Sequence, residues 1–201
     1  MIVRVRTSRF KGQVNLMDAF EAIITRRSVR SYIPDPVPRE VLERILEAGR
    51  LAPSAMNLQP WHFIVVTDKE KRRALSAGRF ARFLAEVPVV IVGCGNEHLS
   101  PKWYAIDTAI ALQNMVIAAT NEGLGSCWVG SFDEMEVKEL LKIPEGYRVV
   151  AMLALGYPRK DIDLMGRLVK IVRAKKRLNE IVSAEEFNVP FEIMKDSAQQ
   201  P

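Results

Sequence analysis

The sequence predicts a layered domain of mixed helix and strand, α+β or α/β, and three observations carry that expectation. Segments with apolar residues at helical spacing, such as Arg39 to Leu51 with Val41, Leu42, Ile45 and Leu46, alternate with short β-branched runs such as His62 to Val66 and Pro88 to Gly93. At 201 residues, with 48% hydrophobic and 26% charged content, the chain is long enough for one domain with a sizeable core and has an ordinary globular composition. No linker-like stretch or internal repeat divides it.

Taken in order, Met1 to Leu16 forms an extension that is basic through Arg4, Arg6, Arg9 and Lys11. It lacks an apolar h-region, so no secretory signal is expected and a cytoplasmic location is the expectation. The extension is expected to be dispensable, with packing of Val3, Val5 and Phe10 as a strand the alternative. A domain over 17–187 follows. Its first helix runs from Asp18 to Arg27 with Phe20, Ile23 and Ile24 on one face, and Pro34, Pro36 and Pro38 separate it from the helix at 39–51. A charged helical stretch, Asp68-Lys69-Glu70-Lys71-Arg72-Arg73, lies between the two short strands and reads as a solvated face. The longest helix is expected over Ala105 to Asn121. It is apolar almost all round, which marks a core element or a subunit interface, and Gly123 and Gly125 end it. Asp133 followed by Glu136 is a capping-box pattern for a helix reaching Leu141, and Tyr147 to Leu155 is a β-rich run stopped by Gly156-Tyr157-Pro158. Asn188 to Pro201 lacks periodicity and reads as a C-terminal tail or an arm.

Composition also excludes function classes. Cys94 and Cys127 are far apart and the chain has only two histidines, so neither a disulfide framework nor a metal site is expected; both cysteines read as buried small hydrophobes. The apolar runs are too short or too interrupted to span a bilayer, and no membrane partner is expected. The net charge of +5 invites a nucleic-acid reading, but the cations are mixed with carboxylates or gathered in two short segments, and aromatics are not interleaved with them.

Four segments carry the candidate chemistry. Arg26-Arg27-Ser28-Val29-Arg30 places three cations and a hydroxyl at a helix end, a pattern suited to an anion because guanidinium forks pair with phosphate oxygens. A basic helix end that complements the helix dipole is the alternative. Pro53-Ser54-Ala55-Met56-Asn57-Leu58-Gln59-Pro60-Trp61 combines a helix stop, small side chains and a carboxamide able to donate and accept. Gly123-Leu124-Gly125-Ser126-Cys127-Trp128-Val129-Gly130 is glycine-rich, yet it follows a helix and is not G-x-G-x-x-G, which disfavours a dinucleotide fold. Lys175-Lys176-Arg177-Leu178 supplies late cations, readable alone as a surface run.

These four segments, in this order, resemble the nitroreductase family of FMN-dependent oxidoreductases over Met17 to Val182. The resemblance implies an α+β, layered α/β/α fold with a central, mostly antiparallel sheet flanked by helices, in a domain-exchanged homodimer. It implies that Arg26, Arg27 and Ser28 hold the FMN phosphate and ribityl chain and that Arg30 reaches the N1/C2 carbonyl edge, where a cation favours the reduced, negatively charged ring. It further implies that Pro53, Ser54, Ala55 and Asn57 come from the other subunit, that Val129, Gly130 and Ser131 bring backbone amides near flavin N5, and that Lys175 and Arg177 close over the phosphate. Gly130 stands where many relatives carry an acidic residue. Asp107 reads as structural, through capping or pairing.

The activity implied is hydride transfer from NAD(P)H through FMN to nitroaromatic or quinone acceptors, by a ping-pong cycle in which the cofactor carries the chemistry. A flavin-binding protein without turnover is one alternative. A dehalogenating or flavin-fragmenting relative is another, although the zone between Ala77 and Lys102, where lid residues of such enzymes belong, is short.

Overall fold

The computed structural model describes residues 18–78, 80–159 and 175–191. The chain divides into two compact units, Met1–Asp163 and Leu164–Pro201. The extension at Met1 to Leu16, and the part of the C-terminal tail from 192 on, lie outside the described residues.

Among its described residues the first unit has five α-helices and four strands: α1 (Ala19–Thr25), α2 (Arg39–Arg50), β1 (Trp61–Val66), α3 (Lys69–Leu75), β2 (Val89–Asn96), α4 (Tyr104–Asn121), β3 (Gly125–Val129), α5 (Glu134–Leu141) and β4 (Tyr147–Gly156). The strands form one sheet in the order β1-β2-β4-β3, and every neighbouring pair is antiparallel. The fold is thus α+β, with helices on both faces of an antiparallel sheet.

The period of two along β2 sorts its side chains onto those faces. Val89 and Ile91 pack with Ile45 of α2 and with Leu112, Met115 and Val116 of α4, whereas Val90, Val92 and Cys94 pack with Leu75 of α3, Leu84 and Val137 of α5. A register shift at Gly93/Cys94 interrupts the ladder with β4, so that Ala151 pairs with Gly93 but Val149 with Cys94. The extra residue flips the alternation, and Val149 therefore joins the α3–α5 face.

Close approach explains why β2 extends beyond the expected Gly93. A Cβ on Gly93 would lie 2.7 Å from Leu112 Cδ1, and one on Gly95 2.7 Å from the Tyr104 ring, because α4 runs directly across them. Glycines that read as a strand end in the sequence are the seat of a helix. The strand Gly125–Val129 was not expected at all, since its glycines and serine mask the β-branched signal. Gly123, at φ +75°, ends α4 in a Schellman motif, with Leu124 N–H donating to Ala119 C=O at 2.8 Å and Gly123 N–H to Thr120 C=O at 3.0 Å. Gly125 belongs to the strand and not to that cap.

Two local expectations change. Asp133 caps α5 by accepting from the N–H groups of Met135 and Glu136, whereas the first-turn acid Glu134 reaches forward to β4, accepting from Val149 N–H at 3.0 Å. The charged stretch at α3 is not wholly a solvated face. Lys69, Glu70, Lys71 and Arg73 are exposed, while Arg72 turns inward and donates to the Val87 and Ala85 carbonyls, satisfying backbone acceptors left by the turn before β2. Among the described residues no helix is long and apolar enough to cross a membrane.

In the second unit, a 3-10 turn at Leu178–Glu180 starts at Arg177, whose N–H donates to Glu180 Oε2 at 3.0 Å. A bridge between Ser183 and Pro190 then closes a small turn, with Phe187 and Phe191 exposed.

Candidate active site

The first cationic segment leaves α1 at Arg26, which adopts φ −55° and ψ 137°, and continues as extended chain. Ser28 bridges Ser126 in parallel, and Val29 N–H donates to Ser126 C=O at 2.9 Å, so the segment lies alongside β3 and runs in the same direction. Val29 fits only because residue 125 is glycine: a Cβ there would lie 2.7 Å from Val29 Cγ2. Tyr32 OH then donates to Val29 C=O at 2.5 Å, fixing the far end. Buried Ser126 is the partner that sequence reasoning missed; the available signal was the adjacent Gly125, which makes room for a neighbouring chain.

Ion pairs occupy several arginines elsewhere in the unit. Arg39, Arg44, Arg50, Arg73 and Arg148 each pair with a glutamate. Among the described residues no carboxylate forms an ion pair with Arg26, Arg27 or Arg30. Their donors, together with the half-buried Ser28 hydroxyl, match the needs of a phosphate monoester, which carries nearly two negative charges at neutral pH. The donor set therefore fits the phosphate end of FMN.

β3 ends at buried Val129, and the chain opens at Gly130. Gly130 is exposed, lacks a positive φ, and a Cβ added to it would meet no atom within 4 Å. The backbone at Gly130 thus borders open space, as a loop facing a flat ring must. Gly125 and Gly130 are separated by five steps of extended chain, roughly 17 Å at about 3.3 Å each.

The 53–61 loop is built differently. Ser54 Oγ accepts from Gln59 N–H at 2.9 Å, Gln59 Nε2 donates to Asn57 C=O at 3.1 Å, and Asn57 N–H donates to Ser54 C=O at 3.0 Å. Met56, Asn57 and Gln59 all have φ near +50°, a geometry that costs a non-glycine residue on the order of 1 kcal/mol. Asp107, 3% exposed in the first turn of α4, holds the loop by accepting from Ala55 N–H. Asn57 and Pro53 remain exposed, and Ser54 and Ala55 are half-buried.

Sheet order separates these parts. The loop feeds β1 at one edge, whereas 26–30 and 130–131 flank β3 at the other, three inter-strand spacings away or roughly 14 Å. One copy of the unit therefore brings 26–30 and 130–131 to the same edge strand and keeps 53–57 apart from them. Lys175 and Arg177 are exposed in the second unit.

Burial pushes the Cys94 thiol up to about 11, which makes it a packing group. Beyond β3, the Glu134 carboxyl is held below the ordinary carboxylate range, first by its hydrogen bonds from Arg148 at 2.7 and 2.8 Å.

Comparison with known proteins identifies the family of this fold. The sequence model of the nitroreductase family matches residues 23–88 and 77–157. A protein of Archaeoglobus fulgidus, named as a candidate NADH dehydrogenase/NAD(P)H nitroreductase, is 40% identical over 154 residues, covering 73% of this chain and 88% of its own. An NADH dehydrogenase of Thermus thermophilus is 33% identical over 183 residues, covering 73% and 89%. The solved structure of an FMN-dependent nitroreductase from Clostridium difficile superimposes with a TM-score of 0.70 at 30% identity, covering 83% of this chain and 98% of that one. With the antiparallel sheet, the arginine segment on β3 and the family match over most of the first unit, the chain belongs to the nitroreductase family and is an oxidoreductase.

Proposed function

We propose that this protein is an FMN-dependent oxidoreductase that takes hydride from NAD(P)H and passes it to nitroaromatic, quinone or similar acceptors in a ping-pong cycle. The observation that carries the reading is the arginine segment with no carboxylate ion pair among the described residues, fixed along the same strand whose far end opens at Gly130. FMN, when bound, supplies hydride exchange at its N5. Arg26, Arg27 and Ser28 bind the phosphate and ribityl chain, and the resemblance alone assigns Lys175 and Arg177 to phosphate binding. Arg30 is directed to the N1/C2 edge, where its fixed positive charge favours the reduced ring. The N–H groups of Gly130 and Ser131, following Val129, face N5; backbone amides suit this role because they do not titrate. Gly130 leaves the approach open to both substrates, which use one site in turn. Protons come from solvent.

The working unit in this reading is a homodimer. Pro53, Ser54, Ala55 and Asn57 sit at the opposite sheet edge from Arg26 to Arg30, so a second copy is what completes the site. An exposed apolar set supports the association: Phe20, Ile23 and Ile24 on α1, and Ile106 and Ile110 on α4, are 37–66% exposed. Three measurements test the proposal. The purified protein should show flavin absorbance, or acquire it with added FMN, and parallel double-reciprocal plots with NADH and a quinone. Light scattering should give the dimer mass; a fully active, FMN-loaded monomer contradicts the shared site, and a protein that takes up no flavin contradicts the whole reading.

A further inference from the structure

We propose that Gly78 is a positioning residue, which sets the Ser131 backbone and thereby aims the 130–131 amides; this rests on the reading of those amides given above. A Cβ built on Gly78 falls inside the van der Waals envelope of the Ser131 carbonyl oxygen, with the Ser131 carbonyl carbon at 3.3 Å and Ala81 Cβ at 3.4 Å. Gly78 does not have a positive φ, so close approach, and not backbone conformation, is what demands glycine here.

The two sides of this contact differ in how far they can yield. On the Gly78 side, the Gly78 carbonyl accepts from Ala81 N–H at 2.9 Å and the Ala81 carbonyl from Leu84 N–H at 2.8 Å, and both Ala81 and Leu84 are 0% exposed. The Ala81 end of that turn is set into the core. On the other side, only Gly130, Ser131 and Phe132 lie between buried Val129 and Asp133, the capping residue of α5. A displacement forced by a side chain at 78 therefore falls on the three residues that carry the amides. Beside the contact, the seam between α3 and α5 opens into a cleft of about 450 Å³ bordered by Ala74, Phe132, Glu136 and Leu140, so neighbouring packing does not duplicate it. The 130–132 backbone is held from the Gly78 side and open at Gly130.

The test is Gly78→Ala, read on FMN labelled with 15N and on the apoprotein. The variant should bind FMN within about threefold of wild type, because the phosphate contacts come from Arg26 to Ser28 and not from the displaced backbone. The bound N5 resonance should move toward that of free FMN, and the rate of flavin reduction at saturating NADH should fall by about tenfold or more, since small misplacements of aligned groups cost that much. A folded Gly78→Ala protein with the wild-type N5 resonance and reduction rate overturns the proposal. Should the variant not fold, backbone order parameters of the wild-type apoprotein decide: values of about 0.8 or above for Gly130 to Phe132 support a held loop, and values below about 0.6 overturn it. A wild-type N5 resonance already at the free-flavin position would instead remove the reading of 130–131 on which the proposal stands.

Discussion

The Ala55 N–H lies 3.2 and 3.3 Å from the two carboxylate oxygens of Asp107, which ties the 53–61 loop to the buried first turn of α4. Asp107 is thus a loop anchor. It offsets the cost of the left-handed backbone at Met56, Asn57 and Gln59 by giving the loop a fixed attachment inside the fold. Removing the acceptor in Asp107→Ala should cost about 1–3 kcal/mol of stability, the range for stranding a hydrogen-bonded group. Asp107→Asn, which keeps a carbonyl acceptor, should lose less. Urea unfolding of both variants checks this, and an Asp107→Ala protein as stable as wild type would contradict the anchor.

Arg26 and Arg177 are expected to act on cofactor affinity. Losing one charge-assisted contact to phosphate costs about 1.5–3 kcal/mol, so Arg26→Ala and Arg177→Ala should each weaken FMN binding by roughly ten- to over a hundredfold. Fluorescence titration of the apoprotein measures it. Wild-type affinity in either variant removes that residue from the phosphate site.

Arg30→Ala should separate from those two. A cation at the N1/C2 edge interacts more strongly with the reduced ring than with the oxidised one, so its loss should lower the two-electron potential more than it loosens binding. Spectroelectrochemistry of the flavin-loaded variant gives the answer, and an unchanged potential would rule out this placement of Arg30.

Glu134 predicts a feature of acid unfolding. Hydrogen bonds from Arg148 hold its folded pKa below the unfolded value, so the linked stability is present above the ordinary glutamate range near about 4.3 and is lost as pH falls through the depressed folded value. Glu134→Gln should therefore be less stable than wild type at neutral pH, and the difference should shrink as the pH is lowered toward 3. Thermal unfolding across that range measures it; a gap that stays constant with pH would mean that the Arg148 pairing contributes nothing.

The sequence made some of this legible and hid the rest for identifiable reasons. The amphipathic helix at Arg39–Arg50 and the strand at Trp61–Val66 were readable because their apolar periods are clean. β3 was hidden because a Gly-Ser-Cys opening carries little strand propensity; what makes it a strand is pairing with β4 on one side and the Ser28 bridge on the other. The far half of β2 was hidden because Gly93 and Gly95 signal a break, whereas their role is to admit α4. At the candidate site, the arginine segment was readable from residue type alone. The parallel run of Arg26 to Arg30 along β3, the Asp107 anchor and the Gly78 contact were not, because each joins residues far apart in the chain through backbone groups that every residue carries.

The central claim is that this chain carries hydride between a nicotinamide nucleotide and an acceptor through a bound flavin, and anaerobic absorbance spectroscopy tests it most directly. Mixing the purified, FMN-loaded protein with NADH or NADPH should bleach the flavin bands, and adding a quinone or a nitroaromatic afterwards should restore them. If neither nucleotide reduces the bound flavin within minutes, the account is contradicted and the protein binds flavin for some purpose other than this oxidoreduction.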